Sequence, residues 1–550
     1  MEGDQFEMNL NQEISVSDVK KKLSGIKLST MKKICVIVFA AIVVLHAWIA
    51  DDAYHGFIMS KNFMDGNGLV YNIGERTNAS TTPLWLLLTT LLSCVTRHIE
   101  YTALAICVIA SVTAFYLLIR RLESKTLILL ATIVCLGSYG FIAYSTSCLE
   151  NCLIFLIQII FVDYILNHKD TYSFKQLFVV AFLCSLSLLT RFDTCFLMFF
   201  PTAYIFLRKK GCGFFKMLLA GILGLLPVFA WLGFSVIYYG YPFPNTFYVK
   251  IRNDLSMMEY LVKGFEYYKV SFLGDMLTVL IIVSALIILS WKGDALRRMI
   301  AIGIFFKLAY ILRIGGDFML GRHLSGLFIV SVYVLLDYTV KNIPFDRKKL
   351  FKAGLAFLLI AFLGVFLRPI FVFPYNYSVG DERAIYFQYT SIYKLIKRDI
   401  TGTNYPLNCW KIHVEPTETR IKMGYHGDVF YFAPGILVYT YADRIYMTDQ
   451  GALADPLLPY MGVDWKRSKG YTSYVLETKV GDWRIGHLQR TIPEGYRESL
   501  QQDKNLIKDP EIHELYDKIL LVVRGKDLFS KERLEAIWEL NTKYRNFRAG

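Results

Sequence analysis

ICVIVFAAIVVLHAWIADDAYHGF, residues 34–57, decides how the whole chain is read. Ile34 to Ala50 is nearly all apolar and long enough to enter the ~30 Å hydrocarbon layer of a bilayer. The run ends in two adjacent acids, Asp51 and Asp52, followed by aromatic residues and a histidine. Polar residues precede Lys33 and no cleavage site follows, so the run reads as a retained span and not as a signal peptide. Two carboxylates at the border of hydrocarbon are costly unless they are paired or used.

Similar stretches recur to about residue 372, and 54% of the 550 residues are hydrophobic and 15% aromatic. With a mean hydropathy of +0.38, the chain is too apolar for a soluble protein of ordinary domains. Three parts follow: a polar segment 1–32 expected in the cytoplasm, a membrane part 33–372, and a part 373–550 in which charges, tyrosines and turn residues intersperse as in a globular α/β domain. The net charge of +14 sits in short clusters beside the spans, which points to membrane topology and away from nucleic acid. Ten cysteines are scattered, only Cys409 falling beyond residue 373, and no disulfide framework or zinc spacing emerges. The sequons at Asn78 and Asn376 read as chance matches.

Positive residues favour the cytoplasmic side. Placing the clusters at Lys20–Lys22 with Lys32 and Lys33, Arg120–Arg121, Lys169 with Lys175, Arg208–Lys210, Lys292 with Arg297–Arg298, and Arg347–Lys349 inside forces the spans between them to pair. Spans are then expected near 33–50, 101–119, 126–145, 149–166, 174–190, 194–207, 215–238, 274–291, 299–314, 323–340 and 352–372. These make about eleven crossings, with the N-terminus inside and residues 373–550 outside. The short stretch Pro83 to Val95 is expected to lie in the outer interface, since a crossing there would invert much of the charge bias.

This topology gathers the unusual residues on one face. Outside lie Asp51 and Asp52, Glu150, Arg191 and Asp193, YYGYPFPNTFYVK at 238–250, and GGDFMLGRH at 315–323. Neighbouring carboxylates raise each other's pKa, as a general base requires. Arg191, Lys250, Arg322 and His323 could bind a phosphate, although any one of them reads equally well as an interfacial side chain. Gly315–Gly316 before Asp317 permits a tight turn, or simply ends a helix. Pro242 and Pro244 stiffen the approach to Asn245, Tyr248 and Lys250. Farther on, Trp483 and His487 in WRIGH have the aromatic and polar character that stacks on sugar rings, and also that of a packed turn. Two adjacent acids could help hold a divalent ion, but no further ligands stand at a metal-binding spacing.

Several of these segments together resemble a known family. Asp51-Asp52-Ala53-Tyr54, Gly66-Asn67-Gly68-Leu69-Val70-Tyr71-Asn72 with Gly74-Glu75-Arg76, and Thr82-Pro83-Leu84-Trp85 are similar to the first outer loop of the mycobacterial cell-wall terminal arabinofuranosyltransferases, members of the GT-C class of membrane glycosyltransferases. The likeness continues at Cys148-Leu149-Glu150, Leu189-Thr190-Arg191, YYGYPFPNTFYVK, GGDFM with Arg322, WRIGHLQR and IPEGY. The chain departs from the family at Cys148, where a small residue is usual, at Phe192, where proline is usual, and at Tyr241, where a small or acidic residue is usual.

The resemblance implies a GT-C fold in a bacterial plasma membrane, with the active site and the C-terminal part on the periplasmic face. It implies inverting transfer of a sugar, arabinofuranose, from a polyprenyl-phosphate donor to a glycan acceptor. In that reading Asp51 is the base and Asp52 orients it or binds acceptor. Lys250 and Arg322, then Arg191 and His55, hold the donor phosphate. Glu150, Asp193, Asn245, Tyr248, Asp317, Trp483 and His487 meet sugar or acceptor. The rival readings are a GT-C transferase moving another sugar onto lipid A or protein and, from a different class, a lipid or sugar transporter. Transporters tend to place polar sites near the midplane on broken helices, whereas here they gather at one interface.

Overall fold

A computed structural model describes residues 25–168, 172–208, 211–253, 255–342, 347–371, 379–401, 428–431, 435–440, 446–469 and 483–549. Most of segment 1–32, the sequon at Asn376 and Cys409 lie outside these residues. The described chain is mostly helical. The first part comprises α1 (Leu28–Leu45), α2 (Ala53–Met64), α3 (Pro83–Thr96), α4 (Ile99–Ile119), α5 (Lys125–Gly137), α6 (Tyr139–Tyr144), α7 (Asn151–Asn167) and α8 (Phe174–Thr190). It continues with α9 (Cys195–Arg208), α10 (Phe214–Tyr239), α11 (Asn245–Ile251), α12 (Met257–Gly274), α13 (Met276–Lys292), α14 (Ala295–Arg313), α15 (Arg322–Asn342) and α16 (Arg347–Phe371). Of these, α1, α4, α10 and α15 are each long and apolar enough to cross a membrane, and α12 with α13 pass the same test together. Helices α3, α5, α7 and α8 are apolar but shorter.

Three expected segments are remade by specific polar contacts. The first span stops at Leu45, not Ala50. Ala47 to Ala50 are fully buried and non-helical, held by Trp48 Nε1 donating to Ala143 O at 2.7 Å and by Thr390 Oγ1, which donates to Ile49 O at 2.7 Å. The expected span 126–145 breaks at Ser138, whose hydroxyl accepts from Phe141 N and pairs with Thr278 Oγ1 at 2.6 Å. The expected loop 239–273 contains α11 and the 18-residue α12, which starts in a capping box formed by Ser256 and Glu259 and meets α13 at 112°. Asp275 sits at that bend and accepts from Gly140 N and Thr278 Oγ1, both at 2.7 Å. The two breaks therefore share one buried polar junction, which satisfies backbone groups that an interrupted helix leaves open.

Charge separates along the bundle. Asp163 near the end of α7 takes Arg120 at 2.5 Å and Arg121 at 2.6 Å, while Glu150 stands just before the first residue of the same helix. Thirteen residues of helix put them about 20 Å apart at ~1.5 Å per residue.

After α16, residues 379–380 pair with the 318–320 turn, Gly380 N donating to Phe318 O and Leu320 N to Gly380 O. Helices α17 (Glu382–Thr390) and α18 (Ile392–Thr401) follow, then β1 (Asp428–Tyr431), α19 (Ile436–Thr440), β2 (Tyr446–Asp449), α20 (Tyr496–Gln502), α21 (Pro510–Arg524) and α22 (Lys531–Asn541). The strand content expected of an α/β domain amounts, among the described residues, to one parallel pair, β1–β2. This part shares a core with the membrane part, since Val249 packs in one cluster with Tyr446, Tyr460 and Val522. It also clasps the loop after α2. Asn72 exchanges two 2.9 Å hydrogen bonds with Met447, Glu75 accepts from Tyr446 and pairs with Arg524, and Arg76 N donates to Val523 O. The Asn72 and Gly-Glu-Arg segments thus serve as docking points.

Candidate active site

Six separated segments converge beside the start of α2. The Cys148–Glu150 turn enters through Cys148, fully buried at φ 57, a left-handed conformation that a side chain adopts at some cost. It aims Glu150 at two guanidiniums, with Arg191 Nη1 at 2.8 Å and Arg322 Nη2 at 3.3 Å. Arg191 also pairs with Asp193 at 3.0 Å, and Asp193 in turn takes Lys307 of α14 at 2.6 Å and lies 3.5 Å from His323. His323 is 3.5 Å from Asp317, and Arg322 reaches Asp317 at 4.0 Å and Asp52 at 3.4 Å. Glycine makes this turn possible. Gly321, at φ 79, brings its backbone so close to Gly140 that a β-carbon would lie 2.9 Å from the Gly140 Cα.

The electrostatics follow from burial against pairing. Burial opposes ionisation of Glu150, but Arg322 and Arg191 outweigh it and hold its carboxyl below the usual range. Burial opposes ionisation of Asp193 as well, and Arg191, Lys307 and His323 drive it well below. Asp317 goes the other way, because its burial exceeds the pull of Arg322, Arg191 and Lys250.

The aspartate pair divides. Asp52 lines a cavity of about 110 Å³ together with His55, Trp85, Glu150, Thr246 and Arg322. Asp51 turns towards the C-terminal part, where its carboxylate accepts from Ile436 N at 2.8 Å and Gly435 packs so closely that any side chain there would strike it. Burial pushes the Asp51 carboxyl up to about 7 against that hydrogen bond, with Asp52 and Glu382 adding to the rise. Asp51 thus carries the raised carboxyl, and Asp52 lines the cavity wall.

Asp51, Asp52, Glu150, Arg191, Asp193, Asp317 and Arg322 are therefore gathered in one place. Lys250, at the end of α11, belongs electrostatically to the same set, since Asp317, Arg191 and Arg322 all act on it. Its ammonium takes no hydrogen bond or ion pair among the described residues. Lys307 was not singled out above, though a lone lysine inside the apolar stretch IFFKLAY at 304–310 is itself a signal of function or pairing. His55 stands on the cavity wall, its ring 5.7 Å from Tyr71, and burial lowers its pKa despite Asp52.

Four expected contact residues are engaged in packing. Asn245 donates to Asp455 O at 2.8 Å, and Tyr248 lies against Tyr241 and under Arg252. Trp483 sits between Trp465 and Lys263. His487 packs edge-on against Phe318 with centroids 4.5 Å apart, and burial beside Arg484 pushes it down to about 3. Arg484, stacked on Phe318, forms a 2.8 Å ion pair with Glu382, so WRIGH braces the residue that follows Asp317. No group of three or more His, Cys, Asp or Glu side chains is arranged for a metal ion among the described residues.

This arrangement can balance an incoming anion, take up a proton near neutral pH, and seat a small polar group against Asp52. Compared with family models, with curated proteins and with solved structures, the chain matches none.

Proposed function

We propose that the chain is an inverting, GT-C-type glycosyltransferase of a bacterial plasma membrane. It moves a sugar, arabinofuranose by the motifs quoted above, from a polyprenyl phosphate to a glycan acceptor on the outer face. In this reading about eleven crossings carry the site, with α3 in the outer interface and residues 373–550 outside. One observation carries the proposal: Arg322, shared by Glu150 and Asp52, lines a small cavity whose wall also holds Asp52, the sequence neighbour of Asp51.

The chemistry follows from that set. The acceptor hydroxyl attacks the anomeric carbon as Asp51 takes its proton, so the new C–O bond forms while the bond to the phosphate oxygen breaks on the opposite face. The electron pair leaves with the polyprenyl phosphate, whose added charge is met by Arg322 and Lys250. Phosphate leaves well at neutral pH, so no general acid is required. Asp52 occupies Arg322 until the donor phosphate arrives.

Purified protein in nanodiscs, incubated with polyprenyl-phospho-arabinofuranose and an oligoarabinan, should release polyprenyl phosphate in step with acceptor glycosylation. Failure to release it from this donor and from donors carrying other sugars would overturn the proposal.

A further inference from the structure

The cavity beside Asp52 contains chemistry that the transfer step leaves unused. At about 110 Å³ it is far below the ~300–1,000 Å³ that accommodates drug-sized ligands, a size that suits one small ring. Its wall is mixed: Trp85 and Leu86, from the first turn of α3, supply apolar surface, and Thr81, Thr82, Thr246 and His55 supply polar atoms alongside Asp52, Glu150 and Arg322. Among the described residues, His55 Nδ1 and Thr246 Oγ1 are buried without a hydrogen-bond partner, a state native proteins avoid unless something else fills the gap. A lipid tail would leave those atoms unpaired, and water alone would wet the Trp85–Leu86 surface for no gain. A ring with a C–H face and a rim of hydroxyls satisfies both.

We infer that this cavity is a monosaccharide subsite. Trp85 and Leu86 lie under the ring, and His55 and Thr246 read its hydroxyls. The inference rests on the reading of Asp51, Arg322 and Lys250 as a donor site, and adds to it the residues that recognise the transferred sugar. Thr246 and Lys250 are four residues apart on α11, one helical turn. One short helix thereby sets the sugar contact in register with the phosphate contact.

The test is binding to the full chain in nanodiscs. The probes are farnesyl-phospho-arabinofuranose, its 2-, 3- and 5-deoxy analogues, and farnesyl phosphate without sugar. The arabinofuranosyl ester should bind more tightly than farnesyl phosphate. At least one deoxy ester should bind wild type about 5- to 150-fold more weakly, the range expected when a buried group is left unpaired. Thr246→Val should weaken the full ester by a similar factor, abolish discrimination against that deoxy analogue, and leave farnesyl phosphate binding unchanged. Equal binding of ester and farnesyl phosphate, or equal binding of all deoxy esters, overturns the subsite while leaving the phosphate site standing. If farnesyl phosphate itself does not bind, or binds equally to Lys250→Ala, the donor reading fails and takes the subsite with it.

Discussion

Glu150→Gln is the perturbation that bears most on how the site is held. Glu150 is 2% exposed and is the shared partner of Arg191 and Arg322, at 2.8 and 3.3 Å. Removing one member of a buried ion pair costs about 3–5 kcal/mol, because the remaining charge is stranded. Glutamine keeps the shape and one acceptor oxygen, so the low end, about 3 kcal/mol, is expected. Arg322→Gln strands Glu150 less completely, since Arg191 remains, yet it also removes the partner of Asp52 and Asp317. If the contact itself carries the loss, the double variant should fall short of the sum by about 1–3 kcal/mol. Unfolding by SDS in mixed micelles, followed by tryptophan fluorescence, measures all four corners of the cycle. Because Glu150 is held below its ordinary value, its contribution is complete above the unfolded carboxylate pKa and fades as pH falls through the lower folded value. Glu150→Gln should therefore flatten the acid limb of stability against pH. Single losses under 0.5 kcal/mol, or strict additivity, would refute the account of Glu150 as the hub.

Further expectations follow from the same contacts. The Asp51 carboxyl, raised to about 7, predicts a kcat/KM that climbs as pH passes through about 7. The same shift makes the folded state bind more protons than the unfolded one between about pH 4 and 7, so Asp51 disfavours folding increasingly as pH rises across that window. Asp51→Asn should consequently be more stable than wild type above pH 7 even as it loses activity, and a matched pair of stability curves checks this. Lys250→Ala should raise KM for the lipid-phosphate donor about tenfold or more with little change in stability, since among the described residues its ammonium takes no hydrogen bond or ion pair; an unchanged KM would remove it from the phosphate site. Gly321→Ala, at φ 79 and 2.9 Å from the Gly140 Cα, should cost about 1–3 kcal/mol and lower the transfer rate by displacing Arg322.

Part of the candidate site was legible because the expected topology groups charges by loop. Counting positive clusters put Asp51, Asp52, Glu150, Arg191, Asp193, Lys250, Asp317 and Arg322 on one face, and they do converge. Local pattern could not reveal what the C-terminal part does to them. The contacts of Ile436 with Asp51 and of Met447 with Asn72 join residues more than 370 positions apart, and no periodicity reports such a pairing. For the same reason the division of the aspartate pair was invisible, since nothing at 51–52 indicates that the backbone amide of residue 436 occupies one carboxylate. Trp483 and His487 show a different limit. An aromatic next to a polar ring is the same local signal whether it meets a sugar or, as His487 does, the edge of Phe318. The interruptions at Ser138 and Asp275 were obscured by the apolar residues around them, whereas Ser256-Met257-Met258-Glu259 is a helix-start pattern open to reading.

The most direct measurement is the rate of sugar transfer from polyprenyl-phospho-arabinofuranose by wild type, Asp51→Asn and Asp52→Asn in the same nanodiscs. Wild type should turn over, and Asp51→Asn should lose about 10²- to 10⁴-fold, the usual size of a general-base contribution. Asp52→Asn should act chiefly on donor KM through Arg322. Full activity in Asp51→Asn alongside its loss in Asp52→Asn would move the base to the residue on the cavity wall, and no turnover by wild type with any lipid-phosphate sugar would contradict the account itself.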